Sequence, residues 1–285
     1  MTDIRGFGPR CTLGEGPLWH PERDRFYWFD IVAGTLYGAD QHGNHQRSWS
    51  FGEPASAAGW VDRDTLLVAT ASGLQRFDID AGTWTPVIGI EEDNPVTRSN
   101  DGRIAPDGSF WIGTMGRELE RDAGAQYRYK AGELSTLKTP MSVPNATCFS
   151  PDGRTAYFAD TARMTIWRWA LDAAGDPVGD YEVHIDMKAE RLRPDGAVCD
   201  AEGYLWNAQF GAGRVARYAP DGRFDRAIDL PASQTTCPAF GGDGLATLYV
   251  TSAAQGLEPG AEPLAGHTFM LEVGVCGIAE HQVRL

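Results

Sequence analysis

Six short runs of aromatic and β-branched residues recur along this 285-residue chain at nearly even spacing, and no other feature limits its fold so tightly. The runs are RFYWFDI from Arg25, TLLVATA from Thr65, SFWIGTM from Ser109, TAYFADT from Thr155, YLWNAQF from Tyr204 and TLYVTSA from Thr247. Their starts lie 40, 44, 46, 49 and 43 residues apart. A four-stranded sheet with its turns uses roughly 40 to 50 residues, so the period predicts an all-β chain folded as a six-bladed β-propeller. One domain over residues 1–285 is expected, because no shift in composition divides the sequence. A seventh blade at this period needs about 300 residues, and a β-sandwich does not repeat itself so regularly.

The punctuation agrees. HPERD, VDRD, APDG, SPDG, DAEG and GGDG stand before the six runs. Pro presets φ and Gly or Asp tolerates a positive φ, so each tetrad can reverse the chain between the first and second strands of a blade. Alternating segments such as GTLYGAD, GLQRFDID and TIWRWALD follow, as expected of outer strands with one face against a neighbouring blade. Trp19, Trp28, Trp111, Trp167 and Trp206 lie in or beside these strands, where interblade packing accounts for them.

Counting back from the turns finds a second regularity. Glu15, Asn100, Asn145 and Asp195 each stand six residues before position 21, 106, 151 or 201, the turn position of its blade; in blades 2 and 6 the same count lands near Ser56 and Thr236. Taken singly, an Asn or Asp before a turn usually bonds nearby backbone. Four at one offset are different, because a propeller gathers equivalent inner-strand residues around its central channel. Such a ring offers two carboxylates and two amides, all oxygen donors. That set suits a hard divalent cation such as Ca²⁺, Mg²⁺ or Mn²⁺ better than tetrahedral zinc, and without a cation Glu15 and Asp195 repel one another.

Composition excludes other functions. With 39 Asp and Glu against 25 Lys and Arg the net charge is −14, and no Lys/Arg run offers a nucleic acid a footing. No run of 18 apolar residues and no leader pattern at the start points to a membrane or to export, so a cytoplasmic protein, monomeric by default, is expected. The five Cys form no C-x-x-C pair and read as buried free thiols. No G-x-S-x-G elbow or triad spacing of His supports a covalent mechanism; His20 reads as a hydrogen-bonding turn residue.

The segments LGEGPLWHP (13–21), RSNDGRIAPDGSFWIGTM (98–115), VPNATCFSPDGRTAYFADT (143–161), RPDGAVCDAEGYLW (193–206), FGGDGLATLYVTSA (240–253) and PLAGHTFMLEVGVCG (263–277) together resemble the senescence marker protein/gluconolactonase/luciferin-regenerating enzyme family of sugar lactonases. The resemblance runs in order from about residue 11 onward. It implies a six-bladed propeller with one divalent cation in the channel, held by Glu15, Asn145 and Asp195. It also implies that Arg98 and Asn100 hold sugar hydroxyls, and that Glu118 contacts substrate. A Glu/Asn/Asp set accepts Ca²⁺, Mg²⁺, Mn²⁺, Zn²⁺ or Fe²⁺. Three positions depart from the family pattern: Ala146 for a Gly after the Asn, Gly266-His267 for a Gly pair, and Phe210 for a Trp. All three are expected near the channel mouth, where they bear on substrate size.

The reaction so implied is hydrolysis of a sugar lactone to its acid, with a polarised carbonyl and Asp195 taking the proton of the attacking water. An Asp titrates near 3.9 and a cation lowers it further, which makes a weak base for a reactive ester. The alternatives are an esterase or phosphotriesterase on the same propeller, and a binding propeller without catalysis.

Overall fold

A computed structural model describes residues 3–285. The strands form six four-stranded antiparallel sheets, each built from strands consecutive in sequence, except the last. The inner strands are Gly14–His20, Ala55–Asp62, Thr97–Ile104, Pro144–Phe149, Pro194–Cys199 and Thr235–Gly241. Each is followed by its turn tetrad and then by one of the six periodic runs as second strand, as in Arg25–Asp30 and Phe110–Gly116. The architecture is the six-bladed propeller that the period predicts.

Burial falls from the axis outward. Second strands are buried almost throughout, because both faces of a blade lie against neighbours, whereas outermost strands such as Thr83–Gly89 and Phe224–Asp229 are largely exposed. No single core exists. Six apolar clusters occupy the six gaps between blades, for example Leu18, Phe29 and Leu36 with Leu66, Val68 and Phe77 between blades 1 and 2. Three tryptophans act as interblade wedges: Trp19 meets Tyr249 of blade 6 at 6.2 Å, Trp111 meets Phe149 of blade 4 edge-on at 5.3 Å and Trp206 meets Phe240 of blade 6 at 6.3 Å. Trp167, against the sequence reading, stacks on Phe158 of its own blade at 5.5 Å. His20 is buried and its Nε2 lies 3.1 Å from Asp62 O in blade 2, a structural bond across a blade gap.

The sixth blade closes the ring with a piece from the other end of the chain. Its order is Thr235–Gly241, Thr247–Ser252, Thr268–Glu272 and then Arg5–Phe7. Periodicity did not mark Arg5–Phe7, a three-residue strand. His267 is part of this closure: its Nδ1 lies 2.9 Å from Gly8 O, and Cys11 N donates to Gly266 O at 2.8 Å. Gly266 has φ +86°, and a Cβ there would stand 2.4 Å from Cys11 O, so only glycine fits.

Four cysteines are buried free thiols, and Cys276, against the sequence reading, is exposed. Among the described residues no helix is long and apolar enough to cross a membrane.

Candidate metal centre in the central channel

Every inner strand breaks register at about its second to fourth residue. The ladder shifts between Glu15 and Leu18, Ala55 and Ala57, Ser99 and Gly102, Asn145 and Cys148, Pro194 and Ala197, and Thr235 and Pro238. A bulge re-aims side chains, and here the six shifts fall at or beside Glu15, Ser56, Asn100, Asn145, Asp195 and Thr236. All six are buried.

The structure brings Glu15 and Asp195, from the first and fifth blades, within hydrogen-bonding reach of one another. Burial, then the charge of Asp101, pushes Glu15 up to about 8; burial, then Glu15, pushes Asp195 well above the usual carboxylate range. The remaining positions are joined by a relay of polar contacts. Arg98 Nη1 donates to Asn100 Oδ1 at 2.9 Å, and Asn100 Nδ2 donates to Asn145 Oδ1 at 3.1 Å and to Pro144 O at 3.0 Å. Asn145 Nδ2 donates to Thr161 Oγ1 at 2.8 Å, and that hydroxyl donates to Pro194 O at 2.6 Å, beside Asp195. The relay fixes which way the Asn145 amide faces. Asn207 Nδ2 holds the backbone of Asp195 at 2.9 Å and of Gly196 at 3.1 Å.

Ala146 adopts φ +55°, a left-handed conformation that costs a non-glycine residue about 1–2 kcal/mol. Its methyl is fully buried in the cluster with Cys148, Ala159 and Met187, which offsets that strain. Phe210 is half-buried, and its N–H donates to Arg193 O at 3.0 Å. Glu118 stands apart from the ring: it is exposed, on the loop after the second strand of blade 3, where its backbone N–H bonds Glu120 Oε2 at 3.0 Å.

Two groups on the axis escaped sequence reasoning. Asp101, the residue after Asn100, is buried and accepts a hydrogen bond from Thr147 N at 2.7 Å; burial, the leading cause, raises its pKa. Arg103, one strand turn further along, forms a buried ion pair with Glu280. Burial opposes the Arg103 charge, and the facing acidic groups, led by Glu280, more than offset it. Glu280 belongs to the last stretch of chain, which crosses the end of the channel remote from the ring: Ala201 N donates to Cys276 O, Trp60 Nε1 to Glu280 O, and Val283 N to Trp60 O, all at 2.8–2.9 Å. Asp101 could have been suspected from its neighbour; nothing in the sequence points to Glu280.

The donors fit a hard divalent cation. Glu15, Asp195 and Asn145 are all buried oxygen donors at the bulges of their inner strands, and Glu15 and Asp195 are held beside one another against desolvation. Along the channel four carboxyls (Glu15, Asp101, Asp195, Glu280) accompany two guanidiniums (Arg98, Arg103), leaving two negative charges to be balanced. Among the described residues no three His, Cys, Asp or Glu side chains form a metal cluster; this set has only two carboxylates and completes itself with an amide.

Comparison with known proteins agrees with the fold and the motif order. Residues 13–254 match the SMP-30/gluconolactonase/LRE-like region. The chain is 35% identical to an L-arabinolactonase of Azospirillum brasilense, over 95% of this chain and 91% of that one. It is 34% identical to a 6-deoxy-6-sulfogluconolactonase of Pseudomonas putida, over 94% of each. Its structure superposes with a TM-score of 0.95 on that of a calcium-binding protein, regucalcin, from Agrobacterium tumefaciens, at 40% identity and covering 97% of this chain and 95% of that one. A luciferin-regenerating enzyme at 22% identity shares the fold, with a TM-score of 0.93. The chain belongs to the SMP-30/gluconolactonase/LRE-like family.

Proposed function

We propose that this protein is a divalent-metal-dependent sugar lactonase that opens a cyclic sugar ester to the free acid. The observation that carries the reading is the buried pair of Glu15 and Asp195, Glu15 raised by burial and by Asp101, and Asp195 by burial and by Glu15, in a ring whose remaining members are neutral oxygen donors. The lactonases among its relatives support the substrate class.

Glu15, Asn145 and Asp195 are the residues that hold the cation. When bound, it acts as a Lewis acid toward a carbonyl oxygen, a contribution of several kcal/mol. The rest of the chemistry belongs to the chain. Arg98 and Asn100 hold ring hydroxyls and orient the ester, the proximity contribution to the rate. Arg98 is steadied by Ser99 O and Asn100 Oδ1 at 2.8 and 2.9 Å, and Asn100 by its bonds to Pro144 and Asn145. Asp195 is the proton acceptor for the attacking water. Burial and the Glu15 charge push its affinity for a proton up, against the acidifying effect of a neighbouring cation. Glu118, exposed on the loop after the second strand of blade 3, is the residue for the outer part of the substrate.

A pH-indicator assay over aldono-1,4- and 1,5-lactones with Ca²⁺, Mg²⁺, Mn²⁺ or Zn²⁺ tests the proposal. Acid release that chelator abolishes and cation restores is the expected result. Metal-loaded protein that hydrolyses none of the lactones would overturn it.

A further inference from the structure

The mouth of the channel has an uneven charge. The positions two residues before the six ring residues are Leu13, Pro54, Arg98, Val143, Arg193 and Gln234, one per blade. Two are arginines, and they occupy one register: Arg98 pairs with Met115 just above the Asn100 bulge, and Arg193 accepts Phe210 N just above the Asp195 bulge. Arg98 and Arg193 thus stand at the entry to the inner strands of blades 3 and 5, the blades on either side of the Asn145 blade. Arg117 adds a third guanidinium. Its N–H continues the blade 3 ladder to Val96 O at 2.8 Å, its Nε donates to Thr97 O at 3.0 Å, and its charge acts on Arg98.

Arg117 and Arg193 have no acid of their own, whereas Arg98 has the charges of the buried Glu15 and Asp195 acting on it. Arg98 and Arg117 donate to neutral oxygens, and among the described residues no carboxylate forms an ion pair with Arg98, Arg117 or Arg193. In a chain with 39 acidic residues and a net charge of −14, two exposed guanidiniums without an ion pair at the ring end of the channel oppose the sign of the whole molecule. Arg117 and Arg193 are exposed and Arg98 is half-buried, so their guanidiniums remain open to a ligand.

We infer that the preferred substrate is a sugar lactone carrying an oxyanion group, a carboxylate, sulfonate or phosphate, on the part of the sugar remote from the ester. Arg117 and Arg193 are the specificity-determining residues that receive it at the mouth while the ester lies over the ring. A guanidinium fork matches the geometry of such groups and binds them in two-point fashion. The inference rests on the lactonase reading for the identity of the ester and on the arginines for the anion.

The test compares D-glucono-1,5-lactone with D-glucaro-1,4-lactone and 6-phosphoglucono-1,5-lactone on the cation-loaded protein, wild type and Arg117→Gln/Arg193→Gln. A calorimetric comparison of gluconate with glucarate binding runs beside it. A charge-assisted contact predicts about a tenfold or greater advantage in kcat/KM for an anionic lactone at low salt. That advantage should shrink between about 20 and about 300 mM salt as screening rises. The double variant should lose about tenfold more on the anionic than on the neutral lactone, mainly through KM. The arm that wins, carboxylate or phosphate, identifies the anion. Equal handling of neutral and charged lactones at both salt levels, or parallel losses in the variant, overturns the inference and leaves the lactonase reading standing. If no lactone is hydrolysed the lactonase reading falls, and calorimetry decides the inference alone: glucarate binding no tighter than gluconate overturns it.

Discussion

At the scale of single residues, the centre is a set of carboxyls kept where they do not want to be charged. In the absence of a cation Glu15 is protonated in the fold up to about pH 8, whereas in the unfolded chain it ionises near 4.5. The unfolded chain therefore binds fewer protons between those values, and the Glu15 contribution to stability is present below about 4.5 and lost as pH rises toward 8. Chelated wild-type protein should lose Tm relative to chelated Glu15→Gln across this window, and added cation should raise the wild-type Tm more at pH 8 than at pH 5. Differential scanning calorimetry checks both; parallel pH profiles for the two proteins would contradict the assignment. Asp195→Asn should keep the fold and lower kcat by about 10² to 10⁴, the range for a lost general base, while Asn145→Ala should weaken cation binding in a direct titration.

At the scale of elements, the bulges and the closing blade deserve separate tests. The shared bulge is a property of the backbone, and over six blades it delivers side chains of five different kinds to one ring. The closure depends on contacts between the first strand, Cys11 and the loop that carries Gly266 and His267. Gly266→Ala adds a methyl 2.4 Å from Cys11 O at a positive φ, so it should cost more than about 2 kcal/mol. Gly132→Ala, at φ +88° with open space around it, carries only the conformational penalty of about 1 kcal/mol. Urea unfolding of the two variants should rank them in that order, and equal losses would mean that the closure loop yields freely.

At the scale of the molecule, two ends of the chain lock the ring in different ways. The first strand completes blade 6, and the last residues lie across the channel from blades 5 and 6 to blades 2 and 3, with Glu280 against Arg103. The pair is largely buried, with side chains only 11% and 9% exposed, so removing one partner strands the other charge. Glu280→Ala should destabilise by about 3–5 kcal/mol, and Arg103→Met/Glu280→Leu should recover most of that loss. A double-mutant cycle in denaturant reads the coupling directly; additive effects would mean that the pair is solvated.

The six blades and four of the ring residues were legible in the sequence because both are periodic. A strand–turn–strand unit needs its turn at a fixed distance from its inner end, so Glu15, Asn100, Asn145 and Asp195 kept one offset and could be found by counting. Ser56 and Thr236 came from the same count, although their turns are less regular. Asp101 was missed because the count reports one position per blade, and the bulge turns its neighbour toward the axis as well. The Arg103–Glu280 pair spans 177 positions and follows no repeat, and the Arg5–Phe7 strand is too short to carry a pattern. Local periodicity fixes which strands form and which residues share a level, because each blade obeys the same short-range sterics. Only ring closure decides what those residues face: where six blades meet, charges far apart in sequence are driven into one space of low polarity, and their strength as acids, bases and ligands is set there.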